Sequence, residues 1–352
     1  MRRPSVRRIT ALAAAGLLLP ALAACGSGSG SDDTDSGAAD GDSTLVIYSG
    51  RNEKLVKPLL DDLEKAVGAK VEVRYGDSAE LAAQILEEGE RTKAGLFFSQ
   101  DAGALGALSK EGMLQKLPSA TLDKVDGAYR GSDGDWVGLS GRVRVIAYNP
   151  DKAAEDKVPD SVFDVVKPEW KGKVGFAPTN ASFQAFVTGM RVLKGDDATR
   201  EWLKGLKDNG AKTYANNLAT LDAVEAGEVS LGLVNHYYWY ERVAEKGEDK
   251  VGARLHFLPG DDPGALINVA GAGVLKDSGQ SATAQKAVDY LLSKEAQTYF
   301  ADRTKEYPLA AGVTSTVEDL PPFDSLESPD IDLGKLDSLQ ETLAMLQDVG
   351  LV

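Results

Sequence analysis

The alternation of strand-like and helix-like patterns between Leu45 and Asp101 limits the possible folds more than any other feature of the chain. Leu45-Val46-Ile47-Tyr48 is a short apolar run that leads into Ser49-Gly50-Arg51-Asn52. Leu55, Leu59, Leu60, Leu63 and Val67 then recur at helical spacing, and Gly68 follows as a stop. Val71, Val73 and Tyr75 alternate with Glu72 and Arg74, which predicts a strand with one buried face. A second helix carries Leu81, Ile85 and Leu86, and Leu96-Phe97-Phe98 makes a third strand ending at Ser99-Gln100-Asp101. A βαβαβ unit returns the chain to the same end of the sheet each time, so its strands are parallel. Ligands of such sheets gather at the carboxyl ends of the strands, here Ser49 to Asn52 and Ser99 to Asp101.

A second α/β pattern follows. It comprises a strand at Lys173 to Ala177, helices at Ser182 to Leu193, Thr199 to Leu206 and Ala219 to Ala226, and a strand at Ser230 to Val234. Two extended segments, Gly141 to Tyr148 and Ala265 to Leu275, flank it. Two α/β lobes joined by two such crossovers make a hinged clamshell with a cleft where the strand ends face each other. The expected division is 44–142 with 268–318 in the N-terminal lobe and 143–267 with 319–352 in the C-terminal lobe. Leu336, Leu339, Leu343 and Leu346 form a helical stripe, read as a packing face.

The N-terminus carries different information. Arg2, Arg3, Arg7 and Arg8 precede an apolar run from Ala11 to Ala24. At about 14 residues this run is a secretory leader, too short to span a bilayer, which needs about 20. Leu22-Ala23-Ala24-Cys25 resembles a bacterial lipobox, in which Cys25 is acylated after the leader at 1–24 is removed. The other reading of Cys25 is a free thiol in a leader cut elsewhere. Arg7-Arg8 leaves the general and the twin-arginine export routes open. Residues 25–43 contain no aromatic and no branched aliphatic side chain, so they read as a disordered tether. The expected protein is therefore extracytoplasmic and held to the outer face of the cell membrane by lipid alone.

Charge and cysteine count exclude several function classes. Lys+Arg 39 against Asp+Glu 54 gives a formal charge of -15, which would repel a nucleic acid backbone. A single cysteine rules out an intrachain disulfide, a zinc ribbon and an iron–sulfur cluster. Catalytic motifs are poor. Gly138-Leu139-Ser140-Gly141 is not a nucleophile elbow, neither His236 nor His256 belongs to an HExxH motif, and Gly271-Ala272-Gly273 lacks the third glycine of a dinucleotide fingerprint. Asp261-Asp262 reads as solvated loop charge.

The densest chemistry is Asn235-His236-Tyr237-Tyr238-Trp239-Tyr240, directly after a strand. One reading is aromatic packing. The other is a metal site, because two neighbouring tyrosines at the turn out of a strand can converge on one ion. Phenolate oxygen is a hard anionic donor, and a hard trivalent cation can displace a proton from a group with a free pKa of about 10. Adjacent tyrosines with little Cys or His nearby favour ferric iron over zinc or copper.

Several co-linear segments make the case specific: Tyr48-Ser49-Gly50, Leu139-Ser140-Gly141-Arg142, Trp170-Lys171-Gly172-Lys173, Asn235 with Tyr237-Tyr238-Trp239, Asp262-Pro263-Gly264-Ala265-Leu266 and Glu306-Tyr307-Pro308-Leu309. Over essentially all of Thr44 to Val352 the chain resembles the ferric iron-binding proteins of bacterial ABC importers. The resemblance implies a type II periplasmic-binding-protein clamshell that carries Fe(III) as cargo to a membrane permease and ATPase. It also implies a monomer and a non-enzymatic function. It places the metal ligands at Tyr237 and Tyr238. A synergistic anion (carbonate, phosphate or citrate-like) falls to a helix start at Asn180, Ala181 and Ser182, with Asn217, Asn235 and Arg142, the last read either as an anion contact or as half of a hinge salt bridge. Many relatives supply a His and a Glu where this chain has Asn52 and Gln100, so oxygen from the anion or water must fill those seats. Arg51, Asn52 and Gln100 are read as accessory cleft residues, Arg51 as a further anion contact or a surface charge. A ferric chelate, an oxyanion or a polyamine stays open as cargo on the same fold, as do an enzyme on a similar scaffold and an aromatic docking surface.

Overall fold

The computed structural model describes residues 44–352; the leader, Cys25 and the tether lie outside them. The first half follows the expected alternation: β1 (Thr44–Ser49), α1 (Glu53–Val67), β2 (Lys70–Tyr75), α2 (Ser78–Glu88), β3 (Leu96–Ser99) and α3 (Ala102–Lys110). β1 pairs in parallel with both β2 and β3. Val56, Leu59, Leu60, Leu63 and Val67 form the buried stripe of α1, and Gly68 closes the helix in the left-handed conformation (φ 68°).

A short helix, α4 (Ser119–Leu122), precedes β4 (Trp136–Tyr148), which is buried along its whole length. The second half adds β5 (Val174–Phe176), α5 (Ala181–Lys194), α6 (Asp196–Asp208), β6 (Lys212–Thr213), α7 (Asn217–Glu225), β7 (Leu231–Asn235), α8 (Tyr237–Lys246) and β8 (Arg254–His256). The chain then runs through β9 (Ile267–Val274), α9 (Ser281–Leu291), α10 (Lys294–Arg303), β10 (Tyr307–Pro308) and α11 (Leu339–Val349).

β4 ties the two halves together. Its residues Trp136 to Val143 lie antiparallel to β9, with a register shift between Gly138 and Ser140, and Arg144 to Tyr148 lie antiparallel to β7. β9 in turn pairs with β3. The strand path is β2-β1-β3-β9-β4-β7-β5-β6, with β8 and β10 also on β4. β4 and β9 are therefore the two crossover segments, and β4 begins at Trp136, earlier than the sequence pattern predicts.

One apolar cluster joins β1, β3, α1, α3 and α9; two others gather around α5–α6–α11 and around α7–α8. From Leu333 onward the C-terminal tail touches two of them. Leu333 and Leu336 pack on the first, against α3, where Gly103 and Gly106 are obligatory: a Cβ on either would stand 2.4 Å from the carbonyl oxygen of Leu336 or Gly334. Met345, Leu346 and Val349 of α11 pack on the second. The buried face of α11 is thus Thr342, Met345, Leu346 and Val349, shifted from the leucine stripe expected, because Leu336 belongs to the preceding turn. Asp262 also corrects an expectation. It is buried and caps the turn at Pro263–Ala265, accepting from Gly264 N–H (2.7 Å), Val162 N–H (3.1 Å) and Ser161 Oγ (2.5 Å).

Candidate functional site

Loops that leave β1, β3, β7 and the segment after β5 meet around one cavity of about 540 Å³. On one wall stand Gly50 to Asn52, Lys54, Leu55, Gly76 to Ser78 and Gln100; on the other, Thr179 to Ala181, Ala215, Asn216, Tyr237, Tyr238 and Glu241. Gly50 has to be glycine, since a Cβ there would fall 1.9 Å from Ser78 Oγ, and that hydroxyl also accepts from Gln100 N–H (2.9 Å). The strand ends singled out from the sequence are therefore brought together.

The two tyrosines open α8. Tyr237 is buried and Tyr238 half-buried, with ring centroids 4.1 Å apart and planes inclined by 31°. Burial pushes the Tyr237 phenol well above its usual range, and negative charge on Tyr238 and Glu306 pushes the same way, against Arg142. An empty site therefore holds a neutral phenol at physiological pH, and only a strong cation would ionise it. His236, one residue earlier, is buried outside the cavity lining. Its Nδ1 accepts from Val143 N–H (3.2 Å), which leaves Nε2–H to donate to Lys305 O (3.1 Å), and its ring stacks on Tyr307 at 4.9 Å. Burial holds its pKa down at about 4, so the ring is neutral and positions the start of α8. His256 pairs with Asp160 (2.9 Å) away from the cavity.

The start of α5 forms a second polar centre. Asn180 is its N-cap, and Asn180 Oδ1 accepts from Ser182 N–H (3.0 Å), Ser182 Oγ (2.7 Å) and Asn217 Nδ2 (3.1 Å). Asn217 Nδ2 also donates to Ser182 Oγ (2.9 Å). Asn180 and Ala181 line the cavity; Ser182, Asn217 and Asn235 stand behind them, buried, bracing the helix end. Because Ser182 N–H is taken by the Asn180 cap and Phe183 N–H by Asn180 O, what makes this wall attractive to an anion is chiefly the positive end of the helix dipole.

Arg144 was missed by sequence reasoning. It lies two residues beyond Arg142 on β4, and alternation along an all-buried strand was the available signal. Its Nη1 donates to Asn235 Oδ1 (3.3 Å) and Ser182 Oγ (3.4 Å), while Nη2 is buried without a partner. The guanidinium lies over the rings of Phe186 (5.2 Å) and Phe183 (5.9 Å). Burial lowers its pKa to about 10, partly offset by the charges of Tyr238 and Tyr237. Arg144 thus carries a cation to the junction of tyrosines and helix end.

Glu306 was also missed, although it stands in one of the segments that carry the resemblance. Arg51 Nη2 donates to both its oxygens (2.7 and 2.9 Å) and Ser140 Oγ to one of them (2.5 Å). Burial opposes its charge, but Arg51, Arg142 and these hydrogen bonds together hold it below the usual carboxylate range. Arg51 is accordingly a buried residue of the site, not a surface charge. Arg142 donates through Nη2 to Gln100 O, and its Nε and Nη1 are buried without partners, as are those of Arg51. Gln100 and Asn52 both line the cavity, though Asn52 Oδ1 is engaged as the N-cap of α1, accepting from Lys54 N–H (3.0 Å). Glu241, likewise not singled out from the sequence, faces the cavity one turn after the tyrosines.

Residues 92–332 match the family described as bacterial extracellular solute-binding protein. The chain is 38% identical over 309 residues to the major ferric iron-binding protein of Neisseria meningitidis, covering 87% of this chain and 93% of the relative. It belongs to this solute-binding family. Iron-bound HitA from Pseudomonas aeruginosa superposes on this solute-binding protein with a TM-score of 0.81 at 38% identity, covering 87% of this chain and 99% of that one. The Trichodesmium protein IdiA (FutA), in complex with iron and citrate, superposes with a TM-score of 0.75 at 28% identity, covering 88% and 99%. The fold of this solute-binding protein is the two-lobed α/β clamshell of type II periplasmic iron-binding proteins. The cavity is where the strand ends of the two halves meet, the position at which such folds hold a ligand.

Proposed function

We propose that this protein is the receptor of a bacterial iron importer, capturing Fe(III) in the cavity and delivering it to an ABC permease and ATPase. The observation that carries the reading is the tyrosine pair at the head of α8, both members facing one cavity beside Arg144 and the start of α5. Two phenolates neutralise two of three ferric charges; the remaining donors come from a synergistic anion such as carbonate, phosphate or citrate, held at Asn180 and Ala181 with Ser182, Asn217, Asn235 and Arg142 behind. The names of the relatives and the iron–citrate complex of one of them support this. The lobes divide as 44–142 with 268–318 and 143–267 with 319–352, except that the turn at Leu333–Asp337 sits with the first core.

Titration with iron tests the reading. The parent chain should develop the visible band of a ferric phenolate, and Tyr237→Phe and Tyr238→Phe should each lose most of that band and of the iron while unfolding at a similar urea concentration. Equal iron binding by both variants and the parent would make the tyrosines packing residues. A second reading, that the cargo arrives as a preassembled ferric chelate, is favoured by the cavity, whose roughly 540 Å³ exceeds the needs of one ion and a small anion. A polyamine is disfavoured by the buried guanidiniums of Arg51, Arg142 and Arg144.

The proposed protein works as a monomer, tethered outside the membrane through lipid on Cys25. No helix among the described residues is long and apolar enough to cross a membrane. Cys25→Ala should move the protein from the membrane fraction to the medium, because the acyl chains would supply the membrane affinity. Retention of the variant on the membrane would remove the lipid-anchor reading.

A further inference from the structure

We propose that Glu241 is a third protein ligand of the bound ferric ion, its carboxylate supplying the hard anionic oxygen that Asn52 and Gln100 do not offer. This inference rests on the ferric reading above and extends it to a residue outside the tyrosine pair.

The placement comes from helix geometry. Tyr237, Tyr238 and Glu241 stand at positions one, two and five of α8, so one turn brings the carboxylate back to the face that carries the phenols. All three line the same cavity. A ligand set drawn from one helix is rigid relative to itself, which suits a site that has to open and close without losing its geometry.

The second observation is an unmet hydrogen-bonding demand. Glu241 Oε1 is buried and accepts no hydrogen bond. Buried carboxylate oxygens without a donor are costly and uncommon, and the usual resolution is an absent ion or water. Glu306, a buried acid at the same cavity, differs in that Arg51 and Ser140 occupy its oxygens. Glu306 is a fixed part of the cavity floor, whereas Glu241 is available. Arg51 does not rescue Glu241, since its Nη2 is committed to Glu306 and its remaining nitrogens are themselves unpartnered.

Charge and donor chemistry agree. Ferric iron prefers hard oxygen donors, and after two phenolates one positive charge remains; a carboxylate cancels it and adds one or two oxygens to the shell. The role assigned to the anion changes accordingly: it completes the coordination and pairs with Arg144, instead of providing the whole of the missing charge.

The test compares the parent with E241Q, which keeps size and hydrogen-bonding capacity but removes the anionic donor. Iron affinity is measured by competition with a chelator in anion-stripped buffer and again with citrate, and the visible band is recorded at saturation. The expected result is affinity lower by at least about tenfold without anion, a smaller loss with citrate, and a shifted band because one ligand has been exchanged. Equal affinity and an identical band would overturn the inference while leaving the ferric reading intact. Weaker binding with an unchanged band at saturation would also overturn it, since Glu241 would then act on cleft closure and not on the metal. A parent chain that forms no coloured iron complex would remove the ferric reading itself.

Discussion

At the scale of single residues, burial decides which charges matter. Lys57 and Asp61 form a 2.7 Å ion pair with more than half of each side chain exposed, so water screens the contact. Arg51 and Glu306 meet at the same distance with side chains only 1% exposed. Removing one partner there leaves the other charge uncompensated in a poorly polarisable interior. Glu306→Gln should therefore destabilise the iron-free protein by about 3 kcal/mol, read as a lower urea midpoint, whereas Asp61→Asn should leave the midpoint nearly where it is. An equally small shift in both variants would mean that Ser140 and water carry what Arg51 is credited with. The same reasoning explains why Tyr237 waits for its cation: burial keeps the phenol protonated until a trivalent ion displaces the proton.

At the scale of elements, the site is a meeting of ends: the carboxyl ends of β1, β3 and β7 with the amino ends of α5 and α8. Strand ends present side chains and helix starts present N–H groups, so cation ligands and anion donors arrive from different elements without competing for space. The two positions where the sequence resemblance implies a His and a Glu are not equivalent here. Asn52 is the N-cap of α1, and its replacement by His would cost about 1 kcal/mol of helix stability, while the Gln100 side chain makes no hydrogen bond that a substitution would break. Gln100→Glu should accordingly raise iron affinity in anion-stripped buffer and reduce its dependence on added citrate. Isothermal titration of parent and variant with and without citrate measures both effects, and unchanged anion dependence would place Gln100 beyond reach of the metal.

At the scale of the whole molecule, β4 and β9 run through both halves, and the tail packs on both cores, so the cavity is bounded by parts that share one continuous sheet path. His236 sits at this junction, bonded to β4 and to the segment after α10, and burial keeps it neutral down to about pH 4. In the unfolded chain it takes up its proton near pH 6.5. Between those values the unfolded state binds a proton that the native state refuses, so stability falls as pH falls from about 6.5 to 4 and the loss is complete below. His236→Gln removes this term. The stability of the parent minus that of the variant should drop by about 3 kcal/mol over that window in iron-free protein. A difference that is flat with pH would mean that the imidazole is solvated in the native state.

The sequence alone determined the βαβαβ start, the two crossover segments, the strand ends around the cavity and the tyrosine pair. These are local: periodicity, helix stops and neighbouring residues are fixed by spacing along the chain. The limits of α11's buried face and the capping role of Asp262 were not legible, because each depends on a partner far away in sequence, Asp262 on Ser161 and the tail on α3 and α5. Arg144, Glu241 and Glu306 escaped for the same reason. In the sequence each is one charge among many in an acidic chain. Only the tertiary structure buries Arg144 and Glu306 and half-buries Glu241, pairs Glu306 with Arg51 across 255 residues, and leaves an oxygen of Glu241 and a nitrogen of Arg144 without partners beside the tyrosines. Burial and partnership are properties of packing, and packing sets the electrostatic cost that turns an ordinary charge into part of a site.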